Sequence, residues 1–364
     1  MSREENDWLL ALVLDETRKS KEISDPKSLD KTTEKIVQTT TDQYAGLMLK
    51  YIESNLEDIV NKRRTCTRQF EERLLQRWKK PIDLLEVLIQ MCYEAGKELN
   101  NECGSAAANS NDYVFSALTG LHARGCQVSH EILALLRAGF PDGAHARWRT
   151  LHEIAVTAHF IKDEGPEIAK RYLHHEITQT YKDALAYQEH ARRLGYEPLT
   201  ERELTLVERR SQGILEMYGK DFREDYGWVP RSILSNPNFA ELEKYVKMDH
   251  LRPYYRMASQ NVHSGPKGIS VKLGLIRNGS HISKLLAGPS NYGLADPGQC
   301  AAISLNQMTT CLLSTRPTLQ RVSIMKAMQK LVEQINSSFA ETQVHIEKEE
   351  EKAEKEDASS NFRQ

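Results

Sequence analysis

NDYVFSALTGLHARGCQVSHEILALLRAG, residues 111 to 139, runs through FPDG into AHARWRTLHEIAVTAHFIKDEG, residues 144 to 165. Apolar residues recur at three and four spacing on both sides of the break, which is the period of a helix with one buried face. Asn111 or Asp112 can cap the first helix. Gly139 ends it, and Pro141, Asp142 and Gly143 make the turn. The pair therefore reads as a tight helical hairpin.

The same reading extends outward from the hairpin. PIDLLEVLIQMCYEAGKELN (81 to 100) precedes it, with Pro81 suited to the first position of a helix. Further helices are expected over 166 to 195, 200 to 222, 238 to 249, 251 to 263, 299 to 315 and 317 to 346. Residues 1 to 78 carry a thinner apolar pattern among many charges, and they read as an arm of two or three extended helices. Between Ser264 and Gly298 the composition changes to seven glycines and three prolines, around a β-leaning piece from Ile269 to Ile276. The expected organisation is an all-α fold, with an arm over 1–78, a bundle over 79–345 with a glycine-rich insertion at 264–298, and a charged tail over 346–364 that is either a frayed helix or disordered.

Composition limits the function classes. Glu, Lys, Leu, Ala, Gln and Arg, the better helix formers, dominate nearly every segment. The net charge is −2. The tail from Glu347 to Asp357, with seven acids and three lysines, contributes −4 and leaves the remainder at +2. Bulk charge thus predicts no partner, and any nucleic-acid contact has to come from a local patch. Six cysteines are scattered without a C-x-x-C pair, the pattern of reduced, small apolar residues. The apolar run Trp8 to Leu14 is short and follows acids, so neither a signal peptide nor a membrane span is expected, and the reading is a cytoplasmic protein. A P-loop, a dinucleotide fingerprint, a nucleophile elbow and a zinc pattern are all missing, so no cofactor or metal is expected.

Two stretches could carry chemistry. In YYRMASQNVHSG, residues 254 to 265, Arg256 and His263 are seven apart, which brings them to one helix face about 10.5 Å apart along the axis, with Ser259 near that face. An arginine to hold a phosphate and a histidine to move a proton suffice to cleave RNA without a metal. The plainer alternative is a helix-terminal histidine and a surface arginine. In the second stretch His145, Arg149, His152, Val156 and His159 form one stripe beside Glu153. Its histidines lie two turns apart, too far to meet on one ion. Arg149 paired with Glu153 in a buried network behind an active face is the expected arrangement.

LLRAGF, ARWRTLHE and, about a hundred residues later, YYRMASQNVHSG together resemble an uncharacterised bacterial helical family. More distantly, they are similar to the HEPN superfamily of toxins and defence nucleases, over roughly residues 80 to 340. That resemblance implies a homodimer in a toxin or antiviral setting, with an antitoxin or other protein as a further partner. It implies a metal-independent RNase site carried by Arg256 and His263; on the reading of the two stretches, Arg149, His152, Glu153, Ser259 and Asn261 would support it. Superfamily members usually place a polar residue after the arginine, whereas Met257 stands here and the asparagine is Asn261, so RNA cleavage and RNA binding alone both remain open. Two alternatives from other classes stand beside them. One is a non-enzymatic interaction module, and the other is an enzyme that takes a small phosphorylated ligand at the glycine-rich loop through Lys267.

Overall fold

The computed structural model describes residues 26–263, 265–275 and 286–361. Among them are ten α-helices and no strand: α1 (Pro26–Asn109), α2 (Tyr113–Arg137), α3 (Pro141–Glu164), α4 (Pro166–His190), α5 (Glu201–Tyr218), α6 (Phe239–Tyr245), α7 (Arg252–Val262), α8 (Lys267–Ser270), α9 (Ala295–Leu313) and α10 (Leu319–Asn361). The apolar run at Trp8, residue Ile276 and the last three positions of the tail lie outside the described residues. None of the described helices is long and apolar enough to cross a membrane.

The chain forms two compact units, Met1–Glu72 and Arg73–Gln364. Leu74 and Trp78 are fully buried in the second unit. Pro81, expected to start a helix, sits inside α1. An internal proline forfeits a backbone hydrogen bond and costs about 3 kcal/mol. Here Trp78, Ile82, Leu85, Leu88 and Ile89 are all fully buried around it, and burial of one such side chain is worth roughly 1.5 to 3 kcal/mol. Packing therefore overrides the local signal. The described part of the arm expected as two or three helices, residues 26–78, belongs to this one helix.

The hairpin is present as expected. Asp112 accepts the backbone N–H of Phe115 and caps α2, and Gly139 takes a left-handed φ of 77° at the turn. α3 lies centrally, packed on α2, α4, α6, α7 and α9. The Trp148 indole is fully buried and donates to Ser304 Oγ on α9 at 2.9 Å. His145 and His152 stack on either side of that indole at 5.3 Å.

Two of the histidines in this core are held neutral. Burial pushes His122 and His145 each down to about 4. His122 lies against Gly96 of α1, where an added Cβ would come within 2.2 Å of the ring, and it meets Thr309 Oγ1 at 3.2 Å. Both ring nitrogens of His145 lack a partner among the described residues. With folded values below the ordinary histidine value, the unfolded chain binds the extra protons. Their contribution is complete above about pH 6.5 and is lost as pH falls toward 4. Stability should drop by about 2 kcal/mol per histidine at pH 5, which urea unfolding at pH 7.5 and pH 5 would detect. Equal unfolding midpoints at the two pH values would contradict neutral burial.

Candidate functional site

The turn between α2 and α3 organises the site. Asp142, in the first turn of α3, accepts the side-chain amide of Asn261 at 3.2 Å and the backbone N–H groups of Leu273 at 2.9 Å and Gly274 at 3.3 Å. Ser290 N–H donates to Gly139 O at 2.8 Å, and its hydroxyl donates to Gly274 O at 2.7 Å. One carboxylate at a helix N-terminus, where negative charge is favoured, thus fastens both the end of α7 and the chain that follows it. The described parts of the glycine-rich segment, residues 265–275 and 286–293, close around this turn. Instead of the β-leaning piece, the four-residue helix α8 occupies Lys267–Ser270.

A second set of contacts fixes the buried side of α7. Glu243 of α6 and His152 of α3 are both fully buried, and His152 Nε2 donates to Glu243 Oε1 at 2.9 Å. The other oxygen of Glu243 accepts from the Arg252 guanidinium. Tyr255 donates to Glu153 Oε1 at 2.5 Å, which also accepts from Arg149 Nε at 3.1 Å. The Arg149 and Arg252 guanidinium groups lie 4.8 and 5.3 Å from the centre of the Tyr255 ring, a cation–π arrangement on one aromatic. Burial pushes the Tyr255 hydroxyl well above its ordinary value, with the Glu153 hydrogen bond adding to the effect. Burial likewise raises the nearby Tyr226 phenol to about 12, with Glu153 contributing. Both phenols therefore stay protonated. Each of the two arginines is paired with one of the two glutamates, so the contacts orient α7 rather than offering an unpaired guanidinium to a ligand.

The expected Arg149–Glu153 pair is present and linked to α7, although the side chains are 26% and 37% exposed and so not buried. A pair this exposed is worth at most about 1 kcal/mol. Ser259 turns its hydroxyl back onto Tyr255 O at 2.8 Å, and Asn261 is held by Asp142. The carbonyl oxygen of Asn261 has no partner among the described residues. Arg149, His152 and Glu153 gather about Tyr255, the residue preceding Arg256, on the buried side of the helix.

Arg256 and His263 lie elsewhere on α7. Tyr255 and Ala258 face the core, while the side chains of Arg256 and His263 are exposed and make no hydrogen bond or ion pair with a described residue. α7 ends at Val262, and His263 follows in extended conformation with its N–H still donating to Ser259 O at 3.2 Å. Seven residues at 100° each return to nearly the same side of a helix, so the Cα positions of Arg256 and His263 share one flank although His263 itself has left the helical conformation. Lys267 is exposed one turn further along the chain.

A sequence signal supports this flank. Between Asp249 and Asp296 there is no acidic residue, and Arg252, Arg256, Lys267, Lys272, Arg277 and Lys284 lie in that interval with three histidines. Such segregation along the sequence does not show in a net charge of −2. Of the residues that position the flank, Glu243 leaves a trace: in FAELEKY it shares the buried side with Phe239 and Leu242, an acid among core positions. Asp142 and Tyr255 carry no such trace.

Among the described residues no group of three or more His, Cys, Asp or Glu side chains is placed to hold a metal ion. A family of unknown function, DUF5677, matches residues 115–281. That stretch runs from α2 through most of the acid-free segment and contains both the Tyr255 network and the Arg256 flank, so the chain is similar to an uncharacterised family where the site lies. No curated protein and no solved structure matches the chain.

Proposed function

We propose that this chain binds RNA along the exposed flank of α7 and cleaves it there, with Arg256 holding a phosphate and His263 moving the proton. The reading rests on one observation: Arg256 and His263 are exposed, unpaired with described residues, and placed on one flank at the start of a segment without acidic residues. An unneutralised guanidinium is free to take phosphate oxygens bidentately. The imidazole removes the ribose 2′-hydroxyl proton, the 2′-oxygen attacks phosphorus, and the P–O5′ bond breaks to leave a 2′,3′-cyclic phosphate, the departing 5′-oxygen taking a proton from water to become a hydroxyl while the imidazolium returns its proton to solvent. The resemblance of the Arg256-to-His263 stretch to HEPN nucleases is in line with this chemistry and with a toxin or antiviral role. A non-enzymatic interaction module is the second reading, favoured by the exposed apolar side chains along the first unit's part of α1.

RNA binding followed by fluorescence anisotropy across a salt series tests the contact. Arg256→Ala should weaken binding to all RNA sequences alike and flatten the dependence of log affinity on log salt by about 0.7, the share of one phosphate contact on a single strand. An affinity and a slope identical to those of the parent protein would place the RNA elsewhere.

A further inference from the structure

The first unit carries an apolar stripe with a coiled-coil period. Ala45, Leu49, Ile52, Leu56 and Ile59 follow one another at four, three, four and three residues, and the same phase continues through Arg63, Cys66 and Phe70. All lie in one unbroken helix. Leu49 is 59% exposed and Leu56 is 56% exposed, and Ala45, Ile52, Ile59 and Cys66 are exposed as well. Strict alternation of four and three is the seam that meshes knobs into holes with a helix of the same phase. A stripe of this length, 26 residues or about 39 Å, is a far larger apolar patch than a lone surface needs.

Charge along the helix selects the occupant and its direction. Within the stripe, Lys50 with Glu53, Glu57 and Asp58 gives the first part a net negative charge, and Lys62, Arg63, Arg64 and Arg68 follow without an acid. A parallel, in-register copy would set acids against acids, bases against bases, and Arg63 against Arg63 inside the seam. An antiparallel copy sets the acidic half against the basic half.

We propose that the first unit pairs with a second copy of this chain as an antiparallel coiled coil. In the register that uses the whole stripe, Ala45 faces Phe70 of the second copy, Leu49 faces Cys66, Ile52 faces Arg63 and Leu56 faces Ile59. Small against large in the outer layer keeps the spacing even. Arg63 lays its methylenes over Ile52 and carries its charge out toward Glu53 of the second copy, so the one polar seam position fixes register and direction.

Oxidative crosslinking of the full-length protein tests the arrangement, with products read on non-reducing gels. Leu49→Cys should give a covalent dimer through Cys66 of the other copy, and the product should vanish when Cys66→Ser is added. Wild-type protein should not crosslink, because the two Cys66 residues lie at opposite ends of the seam. A wild-type dimer crosslinked through Cys66, or a dimer that still crosslinks in the double variant Leu49→Cys/Cys66→Ser, would mean a parallel pair and overturn the proposal. Sedimentation gives an independent reading: wild type should be a dimer, and Leu56→Glu with Ile59→Glu should be a folded monomer. A monomeric wild-type protein, or a double glutamate variant that remains a dimer, would overturn it equally.

Discussion

Replacing Glu243 with alanine should lower stability by about 3 kcal/mol, because breaking a buried ionic hydrogen-bonded group typically costs about 3 to 5 kcal/mol and part of this one reaches water. The carboxylate accepts from His152 Nε2 at 2.9 Å with both side chains fully buried. It also accepts from Arg252, which is 36% exposed. Removing it strands the imidazole donor in the core, while the arginine can regain water. His152 has no second route to a partner, since its Nδ1 is already without one among the described residues. At about 2 to 4 °C per kcal/mol the thermal midpoint should fall by roughly 6 to 12 °C. Glu243→Gln keeps an acceptor and should fall less. An alanine variant that melts with the parent protein would show that the network does not hold α6, α3 and α7 together.

The loss should also propagate to the flank. Arg252 opens α7, and both the Arg149 and the Arg252 guanidinium groups lie against the Tyr255 ring. With Glu243 gone, Arg252 loses the carboxylate that holds it, and the helix bearing Arg256 loses one of its anchors, while the Tyr255–Glu153 bond is kept. Asp142 also remains, at the far end of the helix.

Local signals carried most of the fold and little of the site. The α2–α3 turn was legible because Gly139 needs the left-handed region it occupies and because Pro141 is suited to begin a helix. Pro81 misled for the opposite reason: its local preference is outweighed by the buried residues around it. Arg149 and Glu153 were legible as a pair because four residues on a helix are neighbours in space. Their depth was not, since it depends on which helices cover α3. The Tyr255–Glu153 bond spans 102 residues, His152–Glu243 spans 91 and Asn261–Asp142 spans 119. No spacing rule reaches that far. The acid-free interval was readable throughout, but an absence of acids over 46 residues does not show in a motif or in the net charge.

His263→Ala separates the flank as an active site from the flank as a binding surface. His263 is exposed at the end of α7, so truncating it leaves no cavity and breaks no side-chain hydrogen bond or ion pair with a described residue, and the fold should be unaffected. If its imidazole moves the proton, cleavage should fall by about a hundred- to ten-thousand-fold, the usual range for general acid–base catalysis, with RNA affinity nearly unchanged because Arg256 and the lysines supply the phosphate contacts. The decisive measurement is cleavage of a mixed cellular RNA pool by wild type and His263→Ala in the presence of chelator, with phage-infected extract added in parallel as a source of any trigger. The expected result is wild-type products ending in cyclic phosphate and their loss in the variant at equal RNA binding. Equal cleavage by both proteins, or none by wild type under either condition, would contradict the account.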